Sequence, residues 1–216
     1  MKTTRFAASV AACGVALSAS IAFAADVPPA GDATRGAEIA ATCQGCHGAH
    51  GEGIATASGP RIAGQTASYL VAQLQAYADG ARTNPVMTAI AKGLDDQKKA
   101  DAAAFFAAQS PPFAAPATHP NDAQLVRGKT LVRVGDESKQ LQACANCHGP
   151  DGSGERFATP YLAGQSAAYI ASAIGEWKAG TRRSGEALMG GVASRLDDND
   201  IAAVSAYLES LGAIGD

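Results

Sequence analysis

Aromatic side chains are scarce in this chain of 216 residues, where six Phe, five Tyr and one Trp amount to 6% of the sequence. β-Branched residues are also few, whereas Ala and Gly are abundant. Each residue therefore offers little apolar area, and a small domain of this composition has difficulty in stabilising its fold by side-chain burial alone. We expect large buried cofactors to complete the core.

Two further absences narrow the class of protein. No segment alternates convincingly between apolar and polar residues, so the sequence predicts essentially no β-sheet. There is also no excess of positive charge, because 17 Lys and Arg face 20 Asp and Glu. A mildly acidic surface argues against nucleic acid and against anionic lipid as partners.

The first 25 residues are interpreted as a signal peptide rather than as part of the fold. Lys2 and Arg5 form a basic start before an apolar run of small residues over 6–21. Ala22-Phe23-Ala24 then supplies the small-x-small pattern that a signal peptidase reads. The apolar run is too short and too rich in Ala and Ser to favour a membrane span. We therefore expect export to the periplasm.

One cysteine, Cys13, lies within this predicted signal peptide. Val10-Ala11-Ala12-Cys13 loosely resembles a lipoprotein box, but apolar sequence continues past Cys13, where such a box would end it. Cleavage after Ala24 or Ala25 removes Cys13 and two basic residues, which leaves 15 basic against 20 acidic residues and a net charge of −5. All four remaining cysteines belong to one repeated motif.

This C-x-x-C-H motif occurs as Cys43-Gln44-Gly45-Cys46-His47 and as Cys144-Ala145-Asn146-Cys147-His148. Two thiols three positions apart can each add across a vinyl group of one haem, and the histidine after the second thiol is placed to ligate the iron. The motifs therefore predict two covalently bound c-type haems. Their attachment residues are Cys43, Cys46, Cys144 and Cys147, and their iron ligands include His47 and His148.

Two other uses of paired cysteines are a redox-active dithiol and a four-thiolate zinc site shared between the motifs. Neither explains a histidine directly after the second cysteine in both copies. With all four thiols bonded to haem, none is left for a disulfide, and haem takes over the stapling role that disulfides have in small exported domains.

The similarity between the copies extends beyond the cysteines and indicates two tandem domains. The offset is 101 residues at the cysteines and 100 at Pro60 and Pro160, which open matching P-x-x-A-G-Q segments. Further matches are Tyr69 with Tyr169, Tyr77 with Trp177, Gly80 with Gly180, Arg82 with Arg182, and Leu94-Asp95-Asp96 with Leu196-Asp197-Asp198. Prolines in 111–120 favour an extended linker, so domain 1 is placed at 26–110 and domain 2 at 121–216.

Each copy has the pattern of a helical domain. Residues suited to N-caps mark three helix starts in each copy: Asp32, Thr66 and Asp95 or Asp96 in the first, and Asn121 or Asp122, Ser166 and Asp197 or Asp198 in the second. Gly80 and Gly180 are suited to end the middle helices. The second copy carries an additional segment, 135–142, before its cysteines.

Met87 and Met189 are the only methionines after the signal peptide, and they follow His47 and His148 by 40 and 41 residues. Both fall in predicted loops ahead of the last helix. A haem held by histidine can bind gas, activate peroxide or carry electrons, and the ligand on the other face decides between these. Methionine is more often a flexible core filler, but the matching positions favour ligation of iron by both residues.

The remaining histidines and the conspicuous prolines have other expected roles. His50 and His119 have no histidine counterpart in the other copy, so exposed imidazoles are expected rather than ligands. A metal-bound imidazole usually donates its second N–H to a carbonyl. We hypothesise that the backbone carbonyls of Pro60 and Pro160 accept these bonds; the alternative is that each proline only shapes its turn.

Taken together, these features resemble the di-haem cytochrome c4 family over about residues 30–212. They are two C-x-x-C-H motifs, each followed by a Gly-rich turn, P-x-x-A-G-Q, a Tyr-bearing helix ending in G-x-R, a methionine loop and a Leu-Asp-Asp helix start. The resemblance implies two tandem all-α class I cytochrome c domains, pseudo-twofold related, with His47 and Met87 on one iron and His148 and Met189 on the other. The segment before Met189 departs from the family, because it is longer and lacks a proline.

The resemblance also implies a periplasmic one-electron carrier, not an enzyme, that works between respiratory complexes and a terminal oxidase or reductase. Its partners would be redox proteins, and a loose association with the membrane stays open. One alternative is the cytochrome subunit of a larger flavoprotein or molybdoprotein dehydrogenase that oxidises a sulfur compound. The other is a catalytic di-haem peroxidase, in which one methionine must be absent or displaced from iron.

Overall fold

The computed structural model describes residues 29–54, 56, 58–154 and 159–213. The predicted signal peptide and Cys13 lie outside these residues. The elements are α1 (Ala33–His47), α2 (Ala67–Asp79), α3 (Pro85–Lys92), α4 (Asp96–Ala107), α5 (Asp122–Arg133), β1 (Gly135–Asp136), β2 (Leu141–Gln142), α6 (Ala145–His148), α7 (Ala167–Lys178), α8 (Gly191–Ala193) and α9 (Asp198–Ser210). Short helical turns cover Glu137–Lys139, Pro150–Gly152, Glu186–Gly190 and Leu211–Ala213. Among the described helices, none is long and apolar enough to cross a membrane.

Three helices of each domain begin where the sequence predicts. The capping side chains are Asp32, Thr66 and Asp95 in domain 1 and Asn121, Ser166 and Asp197 in domain 2. Each accepts hydrogen bonds from backbone N–H groups of the first helical turn, which have no partner within the helix. These local bonds fix equivalent starting points for the first, middle and last helices of both domains.

Each domain packs its first helix against its last, α1 on α4 and α5 on α9. The crossings depend on glycine, since a Cβ on Gly36 would lie 2.1 Å from the backbone oxygen of Asp101. A Cβ on Gly128 would lie equally close, 2.1 Å, to the backbone oxygen of Ala203. Only residues without a side chain allow the helices to approach so closely. The middle helices α2 and α7 pack against the same last helices.

Both predicted methionine ligands lie on helical turns, so their predicted placement in loops is wrong. Met87 is in the first turn of α3, which Asn84 caps by accepting from two backbone N–H groups. Pro85 takes the first helical position, where its missing N–H is not needed. Met189 lies in the π-helical turn Glu186–Gly190, which follows Gly185 at φ 74°.

The additional segment of domain 2 forms the only strand pair in the part of the chain that the structure describes. Strands β1 and β2 pair antiparallel over two residues each. Gly135 is required there, because its φ is 90° and a Cβ would lie 2.3 Å from the backbone oxygen of Leu141. All other regular elements of the described chain are helical, which confirms the all-α fold class.

The two domains bury very different amounts of apolar side chain. Domain 2 has a cluster of eleven buried residues that includes Leu131, Ile174 and Leu208. The corresponding cluster in the described part of domain 1 has four members: Ala40, Leu70, Ala103 and Phe106. Two of these are alanines, so domain 1 needs further apolar contact to be stable.

The domains meet across a pseudo-twofold interface at which equivalent residues face each other. Arg82 and Arg182 form an isolated antiparallel bridge, and each is only 3% exposed. The guanidinium of Arg82 lies 3.0 Å from the carboxylate of Glu176 in the other domain and donates to the Tyr169 hydroxyl at 3.2 Å. Burial disfavours the charge on Arg82, but Tyr169, Tyr77 and Glu176 outweigh it and raise the pKa of Arg82 above its usual value.

The environment of Arg182 differs from that of its equivalent. It donates to the Tyr69 hydroxyl at 3.4 Å and to the Gln73 side-chain oxygen at 2.8 Å. No ion pair joins Arg182 to a carboxylate within the described residues. Among the described residues, the bridge between Arg82 and Arg182 therefore places two buried guanidinium groups beside one carboxylate, that of Glu176.

We predict that Gly128→Ala destabilises domain 2 by about 1–3 kcal/mol, because its methyl group forces α5 away from α9. Gly175→Ala is the matched control, since a Cβ there has no neighbour within 4 Å and Gly175 lies inside helix α7. The control should gain about 0.5–1 kcal/mol from the better helix former. Denaturant unfolding of the haem-loaded protein measures both, and equal effects would contradict the proposed close crossing.

We also predict that Glu176→Gln lowers the free energy of unfolding by about 1–3 kcal/mol, because it leaves the buried guanidinium of Arg82 without its counter-charge. Glu38→Gln removes an exposed carboxylate and should stay within about 0.5 kcal/mol of the parent. The same unfolding measurement compares them. A Glu176→Gln protein as stable as the Glu38→Gln protein would show that the interdomain ion pair contributes nothing.

Candidate haem sites

The first C-x-x-C-H motif forms the last turn of α1. Cys43 and Cys46 are three residues apart and therefore share one helical face, and His47 is the final residue of the helix. Gly48 follows at φ 84°, a conformation that favours glycine. In domain 2 the motif lies at the short helix α6, and Gly149 follows it at φ 75°.

The four thiols are free and arranged alike in both domains. Cys43 and Cys144 are half-buried, whereas Cys46 and Cys147 are exposed. Burial raises the pKa of the Cys43 thiol and raises that of Cys144 to about 11. A redox-active dithiol needs a thiolate with a lowered pKa, so these thiols do not suit that role. Nor do the described residues contain a group of three or more His, Cys, Asp or Glu side chains able to hold a metal ion, which argues against a shared zinc site.

The two histidines of the motifs are buried and make the same contact. His47 and His148 are each 7% exposed. Nδ1 of His47 lies 2.8 Å from the carbonyl oxygen of Pro60, and Nδ1 of His148 lies 3.1 Å from that of Pro160. A carbonyl oxygen can only accept, so Nδ1 donates its proton in this bond and Nε2 keeps its lone pair.

Burial lowers the pKa of both imidazoles, and the proline carbonyls oppose part of that shift. Burial therefore favours the neutral form of both rings. A histidine must be neutral to bind a metal through its free nitrogen. The environment of each ring thus selects the tautomer, and favours the neutral form, that an iron ligand requires.

Gly-rich turns bring each proline back to its histidine. The backbone N–H of Gly53 donates to the carbonyl of His47 at 2.7 Å, and that of Gly154 donates to His148 at 2.7 Å. Gly53 has φ 84°, and a Cβ on it would lie 2.6 Å from the backbone nitrogen of Arg61. Glycine is therefore needed for the turn to close on the residue after the proline.

The methionines occupy equivalent but differently built turns. The backbone N–H of Met87 donates to the Asn84 side chain at 3.0 Å, and α3 packs against α2. The N–H of Met189 donates to the carbonyl of Gly185 at 2.9 Å, and its turn packs against α7. Both side chains are half-buried. Within the described residues no hydrogen bond joins either thioether to the histidine of its domain.

The other two histidines have the exposed positions that the sequence predicts. Nδ1 of the exposed His50 lies 3.2 Å from the side-chain oxygen of Gln109. His119 is exposed in the linker, of which residues 111–120 form no helix or strand.

Sequence reasoning did not find the role of the glutamines that end the P-x-x-A-G-Q segments. Gln165 accepts from the backbone N–H of Arg61 at 3.0 Å and donates to the Arg61 carbonyl at 2.9 Å. Gln65 accepts from the N–H of Tyr161 at 3.0 Å and donates to its carbonyl at 2.7 Å. Both glutamines are buried and cross the domain interface. Their matching positions in the two copies were the available signal, but the repeat pattern alone does not show which residues meet.

Two buried guanidinium groups supply donors suited to haem propionates. Nε of Arg61 and Nε of Arg182 are buried and have no hydrogen-bond partner among the described residues. An unpaired buried donor is costly, and a propionate carboxylate is a strong acceptor for it. Together with the paired thiols, the neutral histidines and the small core of domain 1, these donors fit one haem in each domain.

Comparison with known proteins agrees with this geometry. The family model described as cytochrome c matches twice, at residues 33–110 and 126–212. Cytochrome c4 of Pseudomonas aeruginosa is 39% identical over 84% of this chain and 90% of its own length. A thiosulfate dehydrogenase electron acceptor of Thiomonas intermedia is 43% identical over 78% of each chain.

A solved structure shows the same similarity at the level of the fold. The structure of reduced recombinant cytochrome c4 from Pseudomonas stutzeri superimposes with a TM-score of 0.76 at 34% identity, and the match covers 84% of this chain and all of the other. Two cytochrome c family matches, each with a C-x-x-C-H motif, imply two covalently bound haems c. The chain therefore belongs to the cytochrome c family as a member of the di-haem cytochrome c4 group, and it is an electron carrier rather than an enzyme.

Proposed function

We propose that each haem of this carrier is held by one domain through four residues. In domain 1 they are the attachment residues Cys43 and Cys46 and the iron ligands His47 and Met87. In domain 2 they are the attachment residues Cys144 and Cys147 and the iron ligands His148 and Met189. When bound, each haem supplies one-electron exchange at its iron.

One observation carries this assignment: each motif histidine directs Nδ1 to a proline carbonyl, at 2.8 Å for His47 and 3.1 Å for His148. This bond leaves Nε2 as the nitrogen that is free to bind iron. It also fixes the plane of the ring and makes the imidazole a stronger electron donor. Pro60 and Pro160 are thus assigned as the residues that orient the two histidines that would bind iron.

The methionine ligands make the sites suited to electron transfer and not to substrate chemistry. A thioether ligand favours the ferrous state and raises the reduction potential. If each iron is held by one histidine and one methionine in addition to the porphyrin, no coordination position would remain for a substrate. The backbone N–H groups of Met87 and Met189 are both hydrogen-bonded, which fixes the chain at the two proposed ligands.

We further propose a periplasmic location and a donor that oxidises a sulfur compound. The predicted signal peptide supports export. The 43% identity to a protein named thiosulfate dehydrogenase electron acceptor supports a dehydrogenase as electron donor. The acceptor would be a respiratory oxidase or reductase. The carrier would dock transiently with its donor and with its acceptor and would exchange between them.

A second candidate is a permanent cytochrome subunit of such a dehydrogenase, and the same relative favours it. The two differ in the lifetime of the complex. A free carrier should elute alone in size-exclusion chromatography and be reduced at a rate that rises with the concentration of dehydrogenase. A stoichiometric complex that survives chromatography from the native source would instead establish the subunit.

The haem assignment predicts two haems per chain and methionine-to-iron charge-transfer absorption in the oxidised protein. The measurement is an optical and redox titration of the purified protein with a haem assay. Material without haem, or with a single haem per chain, would contradict the proposal.

The ligand assignment predicts that Met87→His lowers the potential of the domain 1 haem far more than that of the domain 2 haem, because imidazole favours ferric iron more than a thioether does. Met189→His should do the reverse. Equal shifts at both haems in either variant would show that the methionine assignment is wrong.

Closed coordination predicts that the reduced protein binds little carbon monoxide at neutral pH. Met87→Ala should bind it readily at one haem, since it removes a ligand from one iron only. Optical spectra of the reduced protein under carbon monoxide compare the parent with the variant. Ready binding by the parent would indicate an open iron and favour a catalytic di-haem protein.

A further inference from the structure

The peptide group between Pro60 and Arg61 is bound at both of its ends. Its carbonyl oxygen belongs to Pro60 and lies 2.8 Å from Nδ1 of His47. Its N–H belongs to Arg61 and donates to the side chain of Gln165, at 3.0 Å, from the other domain. Because a peptide group is planar and rigid, these two bonds cannot change independently.

The equivalent peptide group in domain 2 is bound in the same way. The Pro160 carbonyl lies 3.1 Å from Nδ1 of His148. The N–H of Tyr161 donates to the side chain of Gln65, at 3.0 Å, from domain 1. The arrangement is therefore reciprocal, and each domain holds the histidine-binding peptide of the other.

The glutamine contacts are suited to positioning. Gln65 and Gln165 are 5% and 4% exposed, so little water competes for their amides. Each amide also donates to the carbonyl of the residue it binds, which gives two bonds in a fixed plane. In domain 1 the Pro60–Arg61 peptide also packs closely against Gly53, since a Cβ on Gly53 would lie 2.6 Å from the Arg61 nitrogen. This contact prevents the peptide from rotating towards Gly53.

The bonds also act on each other electronically. When an amide N–H donates, its carbonyl becomes a better acceptor, and linked hydrogen bonds in a buried chain strengthen one another. A stronger acceptor at Nδ1 makes the histidine a better donor to a metal through Nε2. Better donation stabilises the ferric state and lowers the reduction potential.

We propose that Gln165 is a positioning residue for His47, and Gln65 for His148, so that each domain sets the potential of the haem in the other. The inference deepens the proposed function and rests on its assignment of the two histidines as iron ligands. It makes the domain interface part of both haem sites.

The test uses Gln165→Met and Gln65→Met in the haem-loaded full chain, since methionine has a similar volume and makes no amide hydrogen bonds. Gln165→Met should raise the potential of the domain 1 haem more than that of the domain 2 haem. Gln65→Met should raise the domain 2 haem more. NMR-monitored redox titration, with the haem signals assigned to each domain, measures both potentials in one sample.

Gln97→Met is the matched control, because the Gln97 amide donates to the Ala30 carbonyl and to Asp101 within domain 1, away from the interface. It should leave the difference between the potentials unchanged. If Gln165→Met does not fold with two haems, Gln165→Asn shortens the side chain by one methylene, keeps an amide and is expected to give a smaller crossed shift.

The expected pattern is crossed, because the larger shift in potential occurs at the haem of the domain opposite the substitution. A general loosening of the interface would not produce this pattern. Equal shifts at both haems, larger shifts in the mutated domain, or no shift beyond the control would each overturn the inference. If the parent protein itself lacks a six-coordinate haem spectrum, the ligand assignment is wrong. Crossed shifts with six-coordinate spectra support both.

Discussion

The hydrogen bond from each buried histidine to a proline carbonyl is the constraint on which the sites depend. It fixes tautomer and ring plane at once, and it requires the chain to turn back within 13 residues of His47 and 12 of His148. The Gly-rich turns make this closure possible, since Gly53 has φ 84° and no room for a Cβ. The next residue along, Arg61 or Tyr161, then falls at the domain interface. The orientation of each histidine and the docking of the domains thus both depend on one short segment.

The low apolar content of the chain has its counterpart in the packing. Helices rich in alanine and glycine approach closely, as α1 and α4 do at Gly36, but they enclose few large side chains. The four-residue cluster of domain 1 cannot supply the burial that a domain of this size needs. A covalently attached haem adds a large apolar surface that cannot dissociate. A covalently attached haem therefore explains the low apolar content of the chain, the paired thiols and the small core of domain 1.

Local features could be predicted from the sequence, and features formed by distant residues could not. The caps at Asp32, Thr66 and Asn121 act within one helical turn, so residue type identifies them. The turn of Met87 was missed although Asn84 and Pro85 are a cap and a first helical residue, because a helix of eight residues leaves little periodic pattern. The partners of Gln65 and Arg82 lie about 95 residues away. Repeat matching shows that Gln65 is equivalent to Gln165 and Arg82 to Arg182, but only the fold shows which residues of the other domain they contact.

The pseudo-twofold axis relates the backbones of the domains more closely than their charges. Arg82 and Arg182 are equivalent and equally buried, but Glu176 has Ala76 as its counterpart, so among the described residues only Arg82 has a carboxylate partner. A buried charge acts over several ångströms with little screening. Two haems held by the proposed pairs of one histidine and one methionine would therefore experience unequal fields from one interface. Equal ligation does not imply equal potentials, because burial and nearby charge act on the iron together with its ligands.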